Sequence, residues 1–438
     1  MSEWKSKLRK VKREFEKGNA RTLNLPPVFA FRRQGAIDFD SYLKFFDWTI
    51  ANTQVKIDFT ACKSANYQAL SLLVLYVWKL RAQGCRVTTE LDQEASGASN
   101  MWRRMGAQAL FQVSTDTAVQ FSGNEYKPLL AVRNSDDFKK AIATAEKYTE
   151  DFDVEYTNTL RYVLSELLYN TLEHGGSNFD FRGRQIRMPS LIQFTWYQTR
   201  NEIEFIVADN GVGIRHHLSK AYPGIESDED AIRLAVRPGV SGTFQAGGVY
   251  RARDNAGVGL YISTSIVRRL NADMYIVSGN GLLHVSPRDV TSRTLEGSWP
   301  GTFVLVTLRV EENVKFALRT MMQEFREAAD AEQKRGQDSE KQGRVYVQVQ
   351  NYFGPYAEDK KAAIRFRDRY LIPKIEEGMS VLVDFDGVES SPHSFLSALF
   401  ALPVQILGVR AYKLIKIVNA KPEIRETVDY IFDENTEE

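Results

Sequence analysis

The segment SELLYNTLEHGG, which begins at Ser165, places three polar side chains at intervals of four within a leucine-rich run. Successive helical residues turn by roughly 100 degrees, so Glu166, Asn170 and His174 fall within an arc of about 80 degrees. The apolar positions trace the neighbouring face: Val163, Leu164, Leu167, Leu168 and Leu172. Because an unpartnered buried polar group costs about 1 to 3 kcal/mol, the pattern predicts a polar ligand opposite this helix.

The overall charge gives no clear signature of a nucleic-acid or membrane partner, although local basic patches stay possible. Over 438 residues, 57 Lys and Arg face 56 Asp and Glu, a net charge of +1, which gives no overall footprint for nucleic acid or an anionic membrane. No apolar run approaches the roughly 20 residues of a membrane span. The two cysteines, Cys62 and Cys85, and an N-terminus without an apolar signal core predict a cytoplasmic protein with reduced thiols.

Residues 1–25 are predicted to form a basic amphipathic helix. Trp4, Leu8, Val11 and Phe15 lie on one helical stripe, with Lys and Arg side chains around it. Such a helix could contact an anionic partner or a membrane surface, but packing on its own protein is the preferred interpretation. No role is assigned to it.

A strand, helix and strand are predicted in the N-terminal quarter. The alternating apolar residues of VKIDF (55–59) indicate a strand, and an apolar helix follows through about Leu80. Gly84 is expected to end this helix, and Val87 begins the second strand.

The C-terminal region repeats this design. The run VLVDF (381–385) indicates a strand, and a helix is expected to begin around Ser394. Between the centre and this region, AEQKRGQDSEKQGR is polar throughout, so residues 313–342 are predicted to be a charged linker. The alternation of strands and helices predicts an α/β protein.

In the centre, NEIEFIVADNGVGI indicates a strand that ends at Asp209 and is followed by Gly211 and Gly213. An ionised carboxylate at this place can accept a hydrogen bond from an amino group, and glycines let a flat ring approach the backbone. The DNG triplet is also an ordinary hairpin turn, and that interpretation stays open.

Further downstream, Gly257 and Gly259 lie at the start of a predicted helix that continues through Leu270. Free backbone N–H groups and the helix dipole make such a terminus suitable for phosphate. The third glycine of a dinucleotide fingerprint and the Gly-Lys pair of a P-loop are both missing, which disfavours those two nucleotide folds. A last strand, GTFVLVTL, opens with Gly301 and Thr302.

The motifs ELLYN, DNGVGI, a glycine-rich stretch, GVGL and GTFVLVTL follow one another in the order found in the GHKL superfamily of ATP-binding domains. The centre therefore resembles a Bergerat fold, an α+β sandwich found in sensor histidine kinases and anti-sigma-factor kinases. The resemblance implies ATP and Mg²⁺ as cofactors. It also identifies the glycine-rich stretch AIRLAVRPGVSGTFQAGGVYRARDNAGVG as similar to the ATP lid.

The resemblance also implies roles for individual residues. Asn170 matches the magnesium ligand, Glu166 the catalytic base that orients water, and Asp209 the acceptor for the adenine amino group, supported by Thr302. Gly211 and Gly213 would shape the base pocket. The residues expected to face the phosphates are Gly257, Val258, Gly259 and Leu260. For His174, a plain helix-end histidine is at least as well supported as a catalytic one.

The flanking regions resemble STAS domains of anti-sigma switches. The predicted domains are a STAS-like domain over 26–125, the GHKL domain over 126–312, and a second STAS-like domain over 343–438. The N-terminal copy has Asn66-Tyr67-Gln68 where a phosphorylated serine would stand. The C-terminal copy offers Ser390, Ser391 and Ser394, for which helix capping is the preferred interpretation.

Three functions remain open at this point. The first is a slow ATPase that acts as a nucleotide-driven switch for a protein partner through the STAS-like domains. The second is a serine/threonine kinase of the anti-sigma-factor type, and the third is a nucleotide-binding scaffold without turnover. Members of the superfamily often pair through the ATP domain, so a homodimer is also open.

Overall fold

A computed structural model describes residues 20–33, 36–93, 97–108, 110–150, 152–181, 183–222, 224–240, 259–309 and 318–436. These residues form two compact units. The first unit takes the described parts of Met1–His217, Ile276–Asn280 and Leu295–Phe316, and the second takes those of Leu218–Tyr275, Gly281–Thr294 and Ala317–Glu438. Helices and strands alternate along the chain, which confirms the predicted α/β class. The domain boundaries given above stay predictions.

The strands are β1 (Arg21–Asn24), β2 (Val28–Phe29), β3 (Arg32–Arg33), β4 (Ala36–Ile37), β5 (Gln54–Asp58), β6 (Ser64–Ala65), β7 (Arg86–Glu90), β8 (Leu129–Val132), β9 (Asn178–Phe181), β10 (Arg184–Arg187), β11 (Ser190–Tyr197), β12 (Glu202–Ala208), β13 (Asp273–Val285), β14 (Val290–Arg309), β15 (Arg344–Gln348), β16 (Ser380–Asp384) and β17 (Ile415–Val418). The helices are α1 (Phe39–Leu43), α2 (Tyr67–Ala82), α3 (Gly97–Arg104), α4 (Gln112–Thr115), α5 (Ser135–Tyr148), α6 (Val154–His174), α7 (Gly213–Leu218), α8 (Asp228–Ala235), α9 (Gly259–Arg269), α10 (Leu318–Lys341), α11 (Val349–Phe353), α12 (Lys360–Phe366), α13 (Ile372–Glu376), α14 (His393–Leu407), α15 (Ala411–Leu414) and α16 (Pro422–Thr436).

The first unit contains the predicted N-terminal strand, helix and strand. Strands β1, β5 and β7 form a parallel sheet in that order, and α2 connects β5 to β7. Asn66 caps α2 by accepting a hydrogen bond from the Ala69 amide over 2.9 Å. Gly84, with φ +83°, takes the left-handed conformation after the helix ends. This part of the prediction is confirmed.

Helix α2 is buried around nearly its whole circumference, since it packs on two sheets. One face contacts the parallel sheet, and the other contacts β11 and β12 of the central antiparallel sheet, whose order is β13-β14-β12-β11-β8. Strand β12 is buried at all seven positions, because both α2 and α6 pack on this part of the sheet.

The prediction of a helix over residues 1–25 is wrong at the C-terminal end of this range. Residues 1–19 lie outside the described residues, and Arg21–Asn24 form strand β1 instead of helix. Leu23 pairs with Ile57 of β5, and Leu25 is buried directly after the strand. Pairing with the parallel sheet therefore outweighs the local charge pattern here.

In the second unit, β15, β16 and β17 form a parallel sheet. The C-terminal prediction is confirmed, because Val381 and Val383 are buried in β16 and α14 begins at His393, next to Ser394. The stretch predicted as a charged linker is a helix, α10, over most of its length. This helix buries Met321 and Ala329, so it has apolar contacts that the polar composition did not suggest.

One segment among the described helices, His393–Leu414, is long and apolar enough to cross a membrane by length and composition. This corrects the expectation that no apolar run approaches that length. Phe395, Leu396, Leu399 and Phe400 of this segment are buried in the core around the parallel sheet. A core helix of a globular protein passes the same test, so the finding is weak evidence for a membrane span.

Candidate functional site

Asp209 directly follows strand β12 and is buried in the first unit, where it is 3% exposed. Its Oδ1 atom accepts hydrogen bonds from the Gly211 amide over 2.7 Å and the Thr302 amide over 3.3 Å. The Asp209 amide donates to the Thr302 carbonyl oxygen over 2.9 Å, and Trp299 Nε1 donates to the Asp209 carbonyl oxygen over 2.8 Å. The structure thus brings together three residues predicted for one site: Asp209, Gly211 and Thr302.

Three glycines pack against this carboxylate more closely than any side chain would permit. A Cβ atom on Gly301 would lie 2.4 Å from Asp209 Oδ1, and one on Gly211 would lie 2.8 Å from the same oxygen. A Cβ atom on Gly175 would lie 2.8 Å from Asp209 Oδ2. The predicted site residues did not include Gly175 and Gly301, although both glycines lie within the segments SELLYNTLEHGG and GTFVLVTL.

Burial raises the pKa of Asp209 to about 7, against the lowering effect of the Gly211 and Thr302 amides and of Arg187. The carboxyl group therefore changes charge near neutral pH. A ligand that donates a hydrogen bond from an amino group favours the ionised form, so such a ligand and this carboxylate suit each other.

Ser278 of β13 links the segment after Asp209 to the segment around Thr302. Ser278 was not among the predicted site residues. It is 2% exposed. Its hydroxyl accepts hydrogen bonds from the Ile214 amide over 2.8 Å and the Thr302 hydroxyl over 3.1 Å, and donates to the Gly301 carbonyl oxygen over 3.1 Å. Gly213 lies against it with φ +76°, and a Cβ atom there would lie 3.0 Å from the Ser278 hydroxyl. Ser278 therefore fixes Gly213 relative to Thr302.

Helix α6 contains Glu166, Asn170 and His174, the three polar residues predicted to face a ligand. Its N-cap, Asp153, accepts from the Glu155 and Tyr156 amides. Leu164, Leu167 and Leu168 are buried as expected, whereas Glu166 and Asn170 are half-buried.

Helix α6 ends at His174, and the next residue is Gly175, which contacts Asp209. With a helical rise of 1.5 Å per residue, Asn170 lies about 7.5 Å and Glu166 about 13.5 Å along the axis from Gly175. Asn170 and then Glu166 therefore lie progressively farther along the helix from the Asp209 carboxylate.

The residues predicted to face the phosphates are only partly described. Gly259 and Leu260 are the first residues of α9 in the second unit, and both are half-buried. Gly257 and Val258 lie outside the described residues, as do 241–258 of the stretch that resembles a lid. The phosphate-facing role of all four residues stays a prediction.

No group of three or more His, Cys, Asp or Glu side chains suited to a metal occurs within the described ranges. Magnesium does not require one, because it is commonly bound by one or two protein oxygens together with waters and substrate phosphates. The Asn170 amide oxygen offers that kind of ligand. Asn170, which is half-buried on α6, therefore stays a predicted magnesium ligand.

The capping role preferred for the C-terminal serines is wrong. The N-cap of α14 is Pro392, which makes no side-chain capping bond. Ser391 donates to the Ala357 carbonyl oxygen over 3.1 Å, and Ser394 is exposed in the first turn. The proline sets the extended backbone before the helix without a capping hydroxyl.

Comparison with family models matches residues 362–425 to a STAS-like domain of unknown function (DUF4325). The match covers β16, α14 and β17, so this part of the chain is similar to a STAS-like domain, as predicted. Comparison with curated proteins and with solved structures gives no significant match. None of these comparisons supports the GHKL resemblance of the centre, which rests on its motifs and stays a prediction.

Proposed function

We propose that the protein is a magnesium-dependent ATP-binding switch of the GHKL type, a slow ATPase that binds a protein partner according to its nucleotide state. The supporting observation is the buried Asp209 carboxylate, held by the Gly211 and Thr302 amides and bordered by glycines where the helix of Asn170 and Glu166 ends. The free, buried thiols of Cys62 and Cys85 fit the proposed cytoplasmic location.

Each residue has a distinct task in this proposal. Asp209 accepts a hydrogen bond from the amino group of adenine, and Gly211 and Gly213 leave room for the ring. The Asn170 amide oxygen binds magnesium, which supplies charge stabilisation to the phosphates when present. Glu166 orients the attacking water and accepts its proton.

The contacts of α2 support a switch. Gln68 Nε2 donates to the Glu204 carbonyl oxygen over 3.3 Å, and Asn210 Nδ2 donates to the Leu75 carbonyl oxygen over 2.8 Å. Asn210 directly follows Asp209. A conformational change at Asp209 on nucleotide binding would therefore be transmitted to the N-terminal STAS-like region through the buried hydrogen bond of Asn210.

A kinase is the second candidate, because Ser394 of the C-terminal STAS-like region is exposed and does not cap its helix. In this case Glu166 would orient a serine hydroxyl in place of water. The N-terminal region offers no such target, since Asn66 caps α2 there.

The test measures ATP binding by calorimetry with and without Mg²⁺, and follows γ-labelled ATP. Asn170→Ala should abolish the magnesium-dependent part of binding, while Asn158→Ala, the same change on the same helix, should bind like the parent. Release of free phosphate supports the ATPase, and stable label on protein that Ser394→Ala removes supports the kinase. Binding without turnover leaves the scaffold, and equal Mg-ATP binding by Asn170→Ala would show that the metal assignment is wrong.

A further inference from the structure

A groove of about 500 Å³ lies between α12 and α14 of the second unit. One wall is formed by Lys360, Ile364 and Arg367, which follow one another at helical spacing along α12 and the helical turn after it. The other wall is a face of α14. The volume of the groove lies within the roughly 300 to 1,000 Å³ that is typical of pockets for small organic ligands.

The lining of this groove favours an anion, although the chain as a whole is nearly neutral. Lys360, Arg367 and His393 are among the ten residues that line it, and none of the ten is acidic. The acids nearby in sequence have other roles, since Asp359 caps α12 and Asp368 pairs with Arg367. The Lys360 ammonium has no ion pair among the described residues, so it supplies positive charge to a bound ligand.

Four of the six polar side chains of the lining have no partner. Within the part of the chain that the structure describes, the side chains of Lys360, His393, Ser394 and Ser397 make no hydrogen bond or ion pair. Ser397 is half-buried and the other three residues are exposed, so the groove opens to solvent. These groups can therefore bind a ligand without breaking a contact that the protein already has.

Arg367 is held in a fixed position at the groove. Its Nε donates to Asp368 Oδ1 over 2.7 Å, and its Nη1 donates to the Ala398 carbonyl oxygen of α14 over 3.0 Å. The side chain is 15% exposed, and its Nη2 has no partner among the described residues. Because the guanidinium is already ordered, a hydrogen bond from Nη2 to a ligand costs little additional conformational entropy.

The groove becomes apolar toward the C-terminal end of α14. Ser394 and Ser397 lie about one turn apart, and Leu402 follows Ser397 by five residues, or about 7.5 Å along the axis. Ile364 and Ala401 complete the apolar part, and Leu402 is 36% exposed. A ligand that extends from the hydroxyl groups to Leu402 therefore needs a polar group at one end and an apolar group at the other.

The donors at the polar end identify the chemical class of the ligand. A phosphate monoester has three terminal oxygens and a charge of about −1.5 to −2 near neutral pH, whereas a carboxylate has two oxygens and a single charge. The ammonium, the guanidinium and the two hydroxyls together suit the larger number of oxygens. We infer that the groove binds an organic phosphate, with the phosphate group between Lys360, Ser394 and Ser397 and the apolar part against Leu402. This site belongs to the second unit and does not rest on the proposed nucleotide site around Asp209.

The test uses the full chain without nucleotide. A titration followed by phosphorus NMR should show saturable binding of inorganic phosphate, and phenyl phosphate should bind at least about tenfold more tightly, because its ring covers Leu402. Benzoate carries the same ring on a carboxylate and should displace phenyl phosphate only at concentrations at least about tenfold higher. Sodium chloride holds the ionic strength constant, so that screening is the same for all three ligands.

Two variants separate the polar end of the groove from the apolar end. Lys360→Ala should weaken the binding of both phosphates by at least about tenfold, because it removes the unpaired cation. Leu402→Gln should weaken phenyl phosphate by about fivefold or more and leave inorganic phosphate unchanged, since only the ring reaches this position. Lys361→Ala is the matched control, because Lys361 is the next residue of α12, is also exposed and does not line the groove. Circular dichroism verifies the fold of every variant.

Three results would overturn the inference. They are an absence of saturable binding of phenyl phosphate, equal affinities of Lys360→Ala and Lys361→Ala for it, and displacement by benzoate at concentrations equal to those of phenyl phosphate. Titration with ATP keeps this site apart from the proposed function, because Lys360→Ala should retain the magnesium-dependent part of ATP binding. Loss of that part in Lys360→Ala would place the nucleotide in the groove and contradict a separate site.

Discussion

Asn210 donates a hydrogen bond from Nδ2 to the carbonyl oxygen of Leu75 over 2.8 Å, across 135 positions of sequence. Asn210 is 1% exposed, and its own carbonyl oxygen accepts a hydrogen bond from the Ser177 hydroxyl over 2.8 Å. The residue after the buried Asp209 is thereby joined to the middle of α2. This contact joins α2 to the loop that follows β12 within the first unit.

Asn210→Ala should lower the free energy of unfolding by roughly 1 to 3 kcal/mol, because it removes a buried hydrogen bond and leaves a void beside α2. Urea denaturation measures this loss. Asn178→Ala, at an exposed position of β9, should stay within about 0.5 kcal/mol of the parent. Equal losses in the two variants would show that the Leu75 contact contributes nothing.

The stability of the protein should fall as pH rises from about 4 to about 7. The pKa of Asp209 is raised to about 7 in the folded protein, against an ordinary value of 3.8. The folded state therefore holds a proton that the unfolded state has released in this range, and raising the pH disfavours folding. One pKa unit corresponds to about 1.4 kcal/mol, so the full effect is on the order of 4 kcal/mol.

Chemical denaturation across this pH range checks the expectation. Asp209→Asn removes the titrating group and should flatten the profile between about pH 4 and 7 relative to the parent. If the parent and the variant show parallel profiles, another group controls the pH dependence.

Nucleotide binding should respond to pH in the opposite direction. In the proposed function the amino group of adenine donates to the ionised carboxylate, so affinity for Mg-ATP should increase as pH rises through about 7. Binding below this pH should release a proton, which calorimetry in buffers of different ionisation enthalpy detects. Asp209→Asn should bind with little pH dependence and without proton release from this site.

Gly301→Ala should destabilise the first unit by roughly 2 kcal/mol or more, since its Cβ would lie 2.3 Å from the Asp209 carbonyl oxygen and 2.5 Å from the Gly211 amide nitrogen. Gly336→Ala is the control, because Gly336 lies within α10 and nothing approaches its Cβ position within 4 Å. That change should stabilise the helix by about 1 kcal/mol. Thermal denaturation of both variants separates the steric effect from the general effect of replacing glycine.

The sequence alone was enough to predict the helices and strands whose apolar residues recur with a regular period. The strands around Val55 and Val381 and the helix of Glu166 follow from apolar periodicity, and Asp209 was placed at a strand end by the residues on either side of it. Their neighbours in space were not predictable in this way. Ser278 contacts Thr302 because β13 and β14 are neighbours in the sheet, and it contacts Ile214 because α7 begins next to β13.

The two errors in secondary structure share a physical cause. Strand β1 forms because β5 offers unpaired backbone groups to Arg21–Asn24, and α10 is helical although its composition is polar. In α10, Glu332 lies 3.9 Å from Arg237 and accepts a hydrogen bond from Asn351. Tertiary contacts of this kind stabilise a segment that local propensity leaves undecided.

A buried ion pair in the second unit gives the last prediction. Glu229 of α8 is 1% exposed, and its carboxylate accepts hydrogen bonds from Arg365 Nε over 3.1 Å and from the Ser292 and Thr294 hydroxyls over 2.8 and 2.9 Å. Arg365→Met should lower the free energy of unfolding by roughly 3 kcal/mol, because it removes the cation that donates a hydrogen bond to a buried carboxylate.

The control is Lys374→Met, which breaks the solvated pair with Glu377 and should cost at most about 1 kcal/mol. Glu229→Gln combined with Arg365→Met removes both charges and should recover most of the loss, since a neutral amide can still pair with the two hydroxyls. Calorimetric unfolding of the single and double variants measures the coupling between the two positions. If the double variant is as unstable as the sum of the single changes, the Glu229 carboxylate and the Arg365 guanidinium do not stabilise each other.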